Sequence, residues 1–101
     1  MGVMAYYFMI DTYIPADGNR EEYDDYIEKV KPIVEKHGGE YLARTEKIQY
    51  LSEKRKPQRV ILIRFATKEA LDACFSSEEY WAIMMKRVNS VDARAIIVEG
   101  E

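Results

Sequence analysis

The sequence predicts an α+β fold in which one antiparallel sheet carries its helices on a single face. Three observations lead there. Tyr6 to Ile14 and Arg59 to Ala66 are rich in aromatic and β-branched residues with a two-residue alternation, the pattern of strands. Apolar side chains after each of these segments recur at three- and four-residue steps, the pattern of amphipathic helices. The order reads strand, helix, one or two strands, strand, helix, strand, which a split βαβ unit satisfies with antiparallel neighbours.

In the first strand Tyr6, Phe8, Ile10, Thr12 and Ile14 share one face, and Tyr7, Met9, Asp11 and Tyr13 the other. Pro15, Asp17 and Gly18 form a turn. Asn19 followed by Glu22 resembles a capping box, so a helix is expected from Arg20 or Glu21. Its buried stripe is Tyr23, Tyr26, Ile27, Val30, Ile33 and Val34. Pro32 removes one backbone bond and crowds the Glu28 carbonyl, which predicts a kink or a break near Lys31. Gly38 is placed as a left-handed C-cap.

Glu40 to Thr45 and Lys47 to Leu51 read as short strands, as one bent strand or as a hairpin, and Glu53 to Gln58 as a charged loop. In Arg59 to Ala66, Val60, Leu62 and Arg64 oppose Ile61, Ile63 and Phe65. Thr67 caps a helix with Ala70, Leu71, Cys74 and Phe75 on one stripe. Ser76 with Glu79 resembles a second capping box, restarting a helix with Tyr80, Trp81, Met84 and Val88 on one face. Ala93 to Glu99 closes the chain as a strand. The expected architecture is a ferredoxin-like βαββαβ antiparallel sheet.

Composition bounds the rest. At 101 residues and 48% hydrophobic, the chain is read as one domain over residues 1–101. Such a chain buries roughly 60 to 65% of its unfolded surface. Two strands are apolar on both faces, whereas the helices cover only one, so a second copy packing sheet to sheet about a two-fold axis is expected. A net charge of -3 argues against a surface built for nucleic acid or anionic lipid. The basic run Lys54, Arg55, Lys56 and Arg59 lacks interleaved aromatics and reads as a solvated loop.

Cys74 is the only thiol and His37 the only imidazole, which removes disulfides, zinc knuckles and multi-histidine metal sites. No metal and no cofactor is expected, and the lone thiol points to a reducing, cytoplasmic setting. Met1 to Ile14 lacks a basic leader and a cleavage site, and Asp11 breaks its apolar run, so it reads as neither signal peptide nor membrane span. Gly2 is not followed by the hydroxyl residue that myristoylation wants, since Tyr6 stands there. Nucleotide-binding glycine loops and a Ser-His triad are absent from the sequence.

The residues also resemble a known family. The carriers are Lys31-Pro32, the run His37-Gly38-Gly39-Glu40-Tyr41-Leu42-Ala43-Arg44, the strand Pro57 to Phe65, then Ser77-Glu78-Glu79-Tyr80 and Ile97-Val98-Glu99-Gly100. In this order and at these separations they resemble the bacterial family catalogued as domain of unknown function 1330, in the dimeric α/β-barrel superfamily. The resemblance spans Tyr7 to Gly100 and implies a homodimeric barrel. It departs from the family pattern at Lys54-Arg55-Lys56 before Pro57, at Ala66-Thr67 after Phe65 and at Glu78 in the last motif. The superfamily includes cofactor-free monooxygenases, muconolactone-isomerase-like enzymes, haem-degrading enzymes and non-catalytic members, so function must be argued from the residues.

His37 is a candidate general base at the mouth of a helix–sheet cleft, or a cap for the last helix carbonyls. Arg44 and Arg64 sit in apolar strands, either in ion pairs, with Asp11 as one partner, or as a clamp for an anionic ligand. Tyr41 and Tyr80 belong to an aromatic set that suits a flat molecule or a core, and Ser77 accompanies Tyr80 at a helix break. The resulting expectation is a homodimer binding a small aromatic or carboxylate-bearing molecule, with cofactor-free proton transfer as its chemistry. In that chemistry His37 would be the base, Arg44 or Arg64 would steady negative charge and Tyr80 would donate a hydrogen bond, all on one shared cavity. The alternative is a non-catalytic dimer whose aromatics are core and interface.

Overall fold

A computed structural model describes residues 4–101, and the Gly2 position lies outside the described residues. The elements are β1 (Ala5–Tyr13), α1 (Arg20–Lys36), β2 (Glu40–Thr45), β3 (Arg59–Phe65), α2 (Lys68–Phe75), α3 (Glu78–Val88) and β4 (Asp92–Gly100). The sheet order is β2-β3-β1-β4 and every neighbouring pair is antiparallel. This is the ferredoxin-like arrangement that the element order predicts, with the second helical segment divided into α2 and α3.

The two faces of the sheet differ in what covers them. Ile61, Ile63 and Phe65 of β3 are buried with Tyr23, Tyr26, Ile27, Val30 and Val34 of α1 and with Leu71, Cys74, Tyr80 and Ile83 of α2 and α3. Tyr6, Phe8 and Ile10 of β1 pack against this cluster. The opposite face carries the register row Ala43, Leu62, Met9 and Ile96, flanked by Arg64, Tyr7 and Val98 on one side and by Val60, Asp11 and Arg94 on the other. Ile96 is 61% exposed, and the molecule spans only 16 Å along its shortest axis, about one sheet and one helix layer.

Local chemistry explains the boundaries. Asn19 caps α1 by accepting from the Glu22 amide at 3.1 Å, and Thr67 caps α2 by accepting from Ala70 at 3.1 Å. Gly38 ends α1 with φ +85°, a conformation that only glycine adopts without strain. Gly39 follows in the core, where a Cβ would stand 2.5 Å from Val34 Cγ1 and 2.9 Å from Phe65 Cζ, so the backbone itself fills that space.

Four expectations are corrected. Helix α1 runs unbroken through Pro32, whose exposed position leaves the freed Glu28 carbonyl on the solvent side. Lys47 to Leu51 forms no strand. Continuing the β2–β3 register beyond Thr45 and Val60 would bring that segment to Pro57, which has no N–H to donate, and the Gln58 amide bonds the Thr12 carbonyl on β1 instead. Ser77, not Ser76, is the α3 cap; it has extended backbone and accepts from the Tyr80 amide at 3.2 Å, while Ser76 closes α2 with its hydroxyl on the Asp72 carbonyl. The buried side of α3 is Tyr80 and Ile83, with Met84 partly buried, whereas Trp81, Met85 and Val88 are exposed.

No helix is long and apolar enough to cross a membrane among the described residues. Nor does any group of three or more His, Cys, Asp and Glu side chains among them stand ready to hold a metal ion. The Cys74 thiol is buried, which pushes its pKa up to about 11 and makes it a poor nucleophile.

Candidate functional site

Helix α3 follows α2 after only two residues, and its buried stripe lies over the β1–β4 side of the sheet. Between them a cavity of about 250 Å³ remains. Its apolar walls come from Phe8 and Ile10 of β1, Phe75 at the end of α2, and Ala93 and Ala95 of β4. Two alanines on β4 leave room where larger strand residues would fill it.

Phe75 is the hub of these walls. Its ring lies 4.3 Å from that of Phe8, 6.1 Å from Phe65 and 5.1 Å from Tyr80, the last two edge-to-face. Such contacts contribute about 0.5–1.5 kcal/mol each beyond their buried area, so the wall is stiffened from the core outward.

The polar end is built by Tyr26, Tyr80 and Arg87. The Tyr26 and Tyr80 hydroxyls are 3.0 Å apart, and Arg87 Nε donates to the Tyr80 hydroxyl oxygen at 3.3 Å. Burial, reinforced by the Tyr80 hydroxyl, pushes the Tyr26 phenol well above its ordinary pKa, so Tyr26 stays protonated. Arg87 and Tyr80 are seven residues apart on α3, two helical turns, which sets both side chains on the inward stripe. A smaller space of about 20 Å³, enough for one water, adjoins this end and shares Ile10, Tyr26, Phe75 and Arg87 with it.

Of the residues nominated from the sequence, Tyr80 alone lines the larger cavity. Ser77 starts α3 and thereby fixes the Tyr80 backbone, also donating to the Cys74 carbonyl at 2.7 Å. Tyr41 lines the small adjoining space, and burial pushes its phenol up to about 12. Arg44 donates from Nη2 to the Ile27 carbonyl, one residue before the carbonyl that Pro32 frees, and lies 5.4 Å from the Tyr41 ring centroid. It ties β2 to α1.

His37 Nδ1 is 2.9 Å from the Ile33 carbonyl oxygen. A carbonyl only accepts, so Nδ1 carries the proton and His37 closes the last turn of α1. Arg64 lies on the opposite face of the sheet, opposite Tyr7 and Glu40 in register. Asp11 pairs not with Arg44 or Arg64 but with Arg55, at 2.7 Å. The structure therefore does not gather His37, Arg44, Arg64 and Tyr80 on one cavity.

Arg87 and Tyr26 are the polar cavity residues that sequence reasoning left out of the site. The signal for Arg87 was its place on the Tyr80, Ile83, Met84 stripe: a charge among apolar side chains. A stripe of Tyr80, Trp81, Met84 and Val88 passes Arg87 by, because Trp81 and Val88 rotate it toward the exposed side.

A second cavity, about 280 Å³, lies under the loop after β2, between Ile48, Tyr50, Leu51, Arg55, Pro57 and Val60. Gln49 and Ser52 add polar groups to its lining, while its Tyr50 hydroxyl donates to the Pro57 carbonyl and its Arg55 is paired with Asp11.

Comparison with known proteins agrees on the fold. The RPA0582 protein of unknown function from Rhodopseudomonas palustris is similar with a TM-score of 0.81 at 14% identity, covering 99% of this chain and 85% of that one. A dimeric ferredoxin-like protein of unknown function from Jannaschia sp. CCS1 gives 0.67 at 14% identity, covering 96% and 98%. SnoaB, a cofactor-independent oxygenase from Streptomyces nogalater, gives 0.62 at 6% identity, covering 97% and 92%. At these identities the likeness is one of fold. No curated protein matches the sequence. The family model described as Domain of unknown function (DUF1330) matches residues 8–101, and with nearly the whole chain covered, this protein belongs to that family.

Proposed function

We propose that this protein is a homodimer that binds a small aromatic or carboxylate-bearing molecule in the cleft between α3 and the β1–β4 side of the sheet. The observation that carries the reading is a cavity of about 250 Å³ with apolar walls and three convergent polar side chains at one end. An apolar cavity of roughly 150 Å³ holds benzene, so this one admits a substituted ring.

Cofactor-free proton transfer is the chemistry such an end supports. Tyr80 is the hydroxyl placed to exchange a proton with the ligand, and Arg87 would balance negative charge developing there. That SnoaB is described as a cofactor-independent oxygenase supports the general kind of chemistry on this fold. The homodimer reading is supported by the uncovered sheet face and by relatives described as dimeric ferredoxin-like proteins.

A non-catalytic dimer is the second reading, favoured by the use of His37 and Arg44 on backbone carbonyls. A thermal-shift screen of small aromatic acids on the wild type and on Ala95→Phe separates the two. Ala95 is exposed on β4 and lines the cavity, so the larger ring fills the cleft without entering the core. Acids that raise the wild-type Tm should leave the variant unmoved, because only binding to the folded state stabilises it. Equal shifts in both proteins, or none in the wild type, would contradict the cleft reading.

A further inference from the structure

We propose that the polar end of the cleft is a receptor for a planar aromatic anion, with the Arg87 guanidinium and the Tyr80 hydroxyl holding an ionised carboxylate or phenolate oxygen. The inference rests on the cleft being a small-molecule site and adds the charge that it selects.

Hydrogen-bond arithmetic carries it. Arg87 has five N–H donors, and its Nε–H is used on Tyr80. Arg87 forms no ion pair with a carboxylate among the described residues. No Asp or Glu lines the cavity. Asp25, the residue before Tyr26, is already held by Lys29 at 2.9 Å and Lys86 at 3.1 Å.

The hydroxyls add to the surplus. Tyr26 and Tyr80 together own two hydrogens and share one hydrogen bond between them, so one O–H remains to donate whichever way that bond points. Tyr26 stays protonated and supplies no charge to balance Arg87. The polar end thus presents spare donors and an unneutralised, half-buried cation in a chain of net charge -3. A half-buried charge favours an anionic partner, and a guanidinium matches planar oxyanions.

The walls define the rest of the ligand. Phe8 and Phe75 present aromatic surface, and Ala93 and Ala95 leave a flat space against the strand, which suits a ring rather than a branched aliphatic acid.

The test is a calorimetric titration of two matched pairs: benzoate against benzamide, and 2,4-dinitrophenolate against 2,4-dinitroanisole. Each pair keeps the ring and removes the charge, and the two pairs distinguish carboxylate from phenolate as the oxygen's source. At least one anion should bind the wild type about tenfold or more tighter than its neutral partner, the worth of a charge-assisted hydrogen bond. Arg87→Gln should erase that preference, and Ala95→Phe should abolish binding of both members.

Arg87→Lys keeps the cation but loses the Nε donor to Tyr80, and it should retain part of the preference. It therefore tests the charge even if Arg87→Gln fails to fold by circular dichroism. Equal binding of anion and neutral partner, both blocked by Ala95→Phe, would overturn the anion receptor and leave the cleft as a site. No binding of any probe, or binding that Ala95→Phe leaves intact, would overturn both.

Discussion

Met9→Glu is expected to convert a dimer of this protein into a monomer. Met9 is the middle of β1, paired across the sheet with Leu62 on β3 and Ile96 on β4, on the face that no helix covers. In a sheet-to-sheet pair, two-fold symmetry brings the substitution in twice, so two unpartnered carboxylates enter an apolar contact. Each such burial costs about 3 kcal/mol or more, which together weakens association on the order of ten-thousand-fold. Sedimentation at micromolar concentration should give about twice the 11.8 kDa chain mass for the wild type and the single-chain mass for the variant. A monomeric wild type would overturn the sheet-to-sheet argument. A dimeric variant would move the interface to another face, with the α3 stripe of Trp81, Met85 and Val88 the next apolar surface to examine.

Phe65→Ala is expected to produce the largest loss of stability of any single truncation. Phe65 is 0% exposed, lies edge-to-face against Phe75, and meets the backbone at Gly39. Removing such a ring typically costs about 3–5 kcal/mol, a large part of the 5–15 kcal/mol that holds a domain of this size. Because Phe75 bridges Phe65 to Tyr80, the loss also loosens the cleft wall. Urea unfolding should show the midpoint falling with little change in slope, and ligand affinity should fall even where the variant is still folded. A loss under about 1 kcal/mol would mean that the core relaxes into the space, and that the Phe75 wall does not depend on it.

How much of this was legible in the sequence depends on how strongly each segment is constrained. β3 and α1 announce themselves because one face of each is buried in the core, and β1 because its aromatic and β-branched alternation lays Tyr6, Phe8 and Ile10 against that core. Gly38 was equally readable, since the end of a helix needs a left-handed residue. The α3 stripe was not. Trp81, Ile83, Met84, Met85 and Val88 make an 11-residue helix apolar around much of its circumference, so periodicity alone does not choose the inward side.

The candidate site was legible only in part for the same reason. Tyr80 was found through its position at a helix start, but its partners Tyr26 and Arg87 come from a distant helix and from two turns further along α3. His37 and Arg44 stand out as polar groups at apolar places, yet they bond the backbone carbonyls of Ile33 and Ile27 and do not line the cleft. A lone polar residue in a sequence marks a need for a partner, and only the fold decides whether that partner is a ligand or a carbonyl.

Occupation of the helix–sheet cleft by a small aromatic acid has a direct spectroscopic signature. Backbone and methyl chemical-shift mapping of the wild type titrated with benzoate tests it most directly. Shifts are expected to centre on Phe75, Tyr80, Arg87, Ala93 and Ala95 and to saturate together with one affinity. Shifts centred instead on the loop cavity at Ile48, Leu51 and Val60, or none at the cleft at millimolar benzoate, would contradict it.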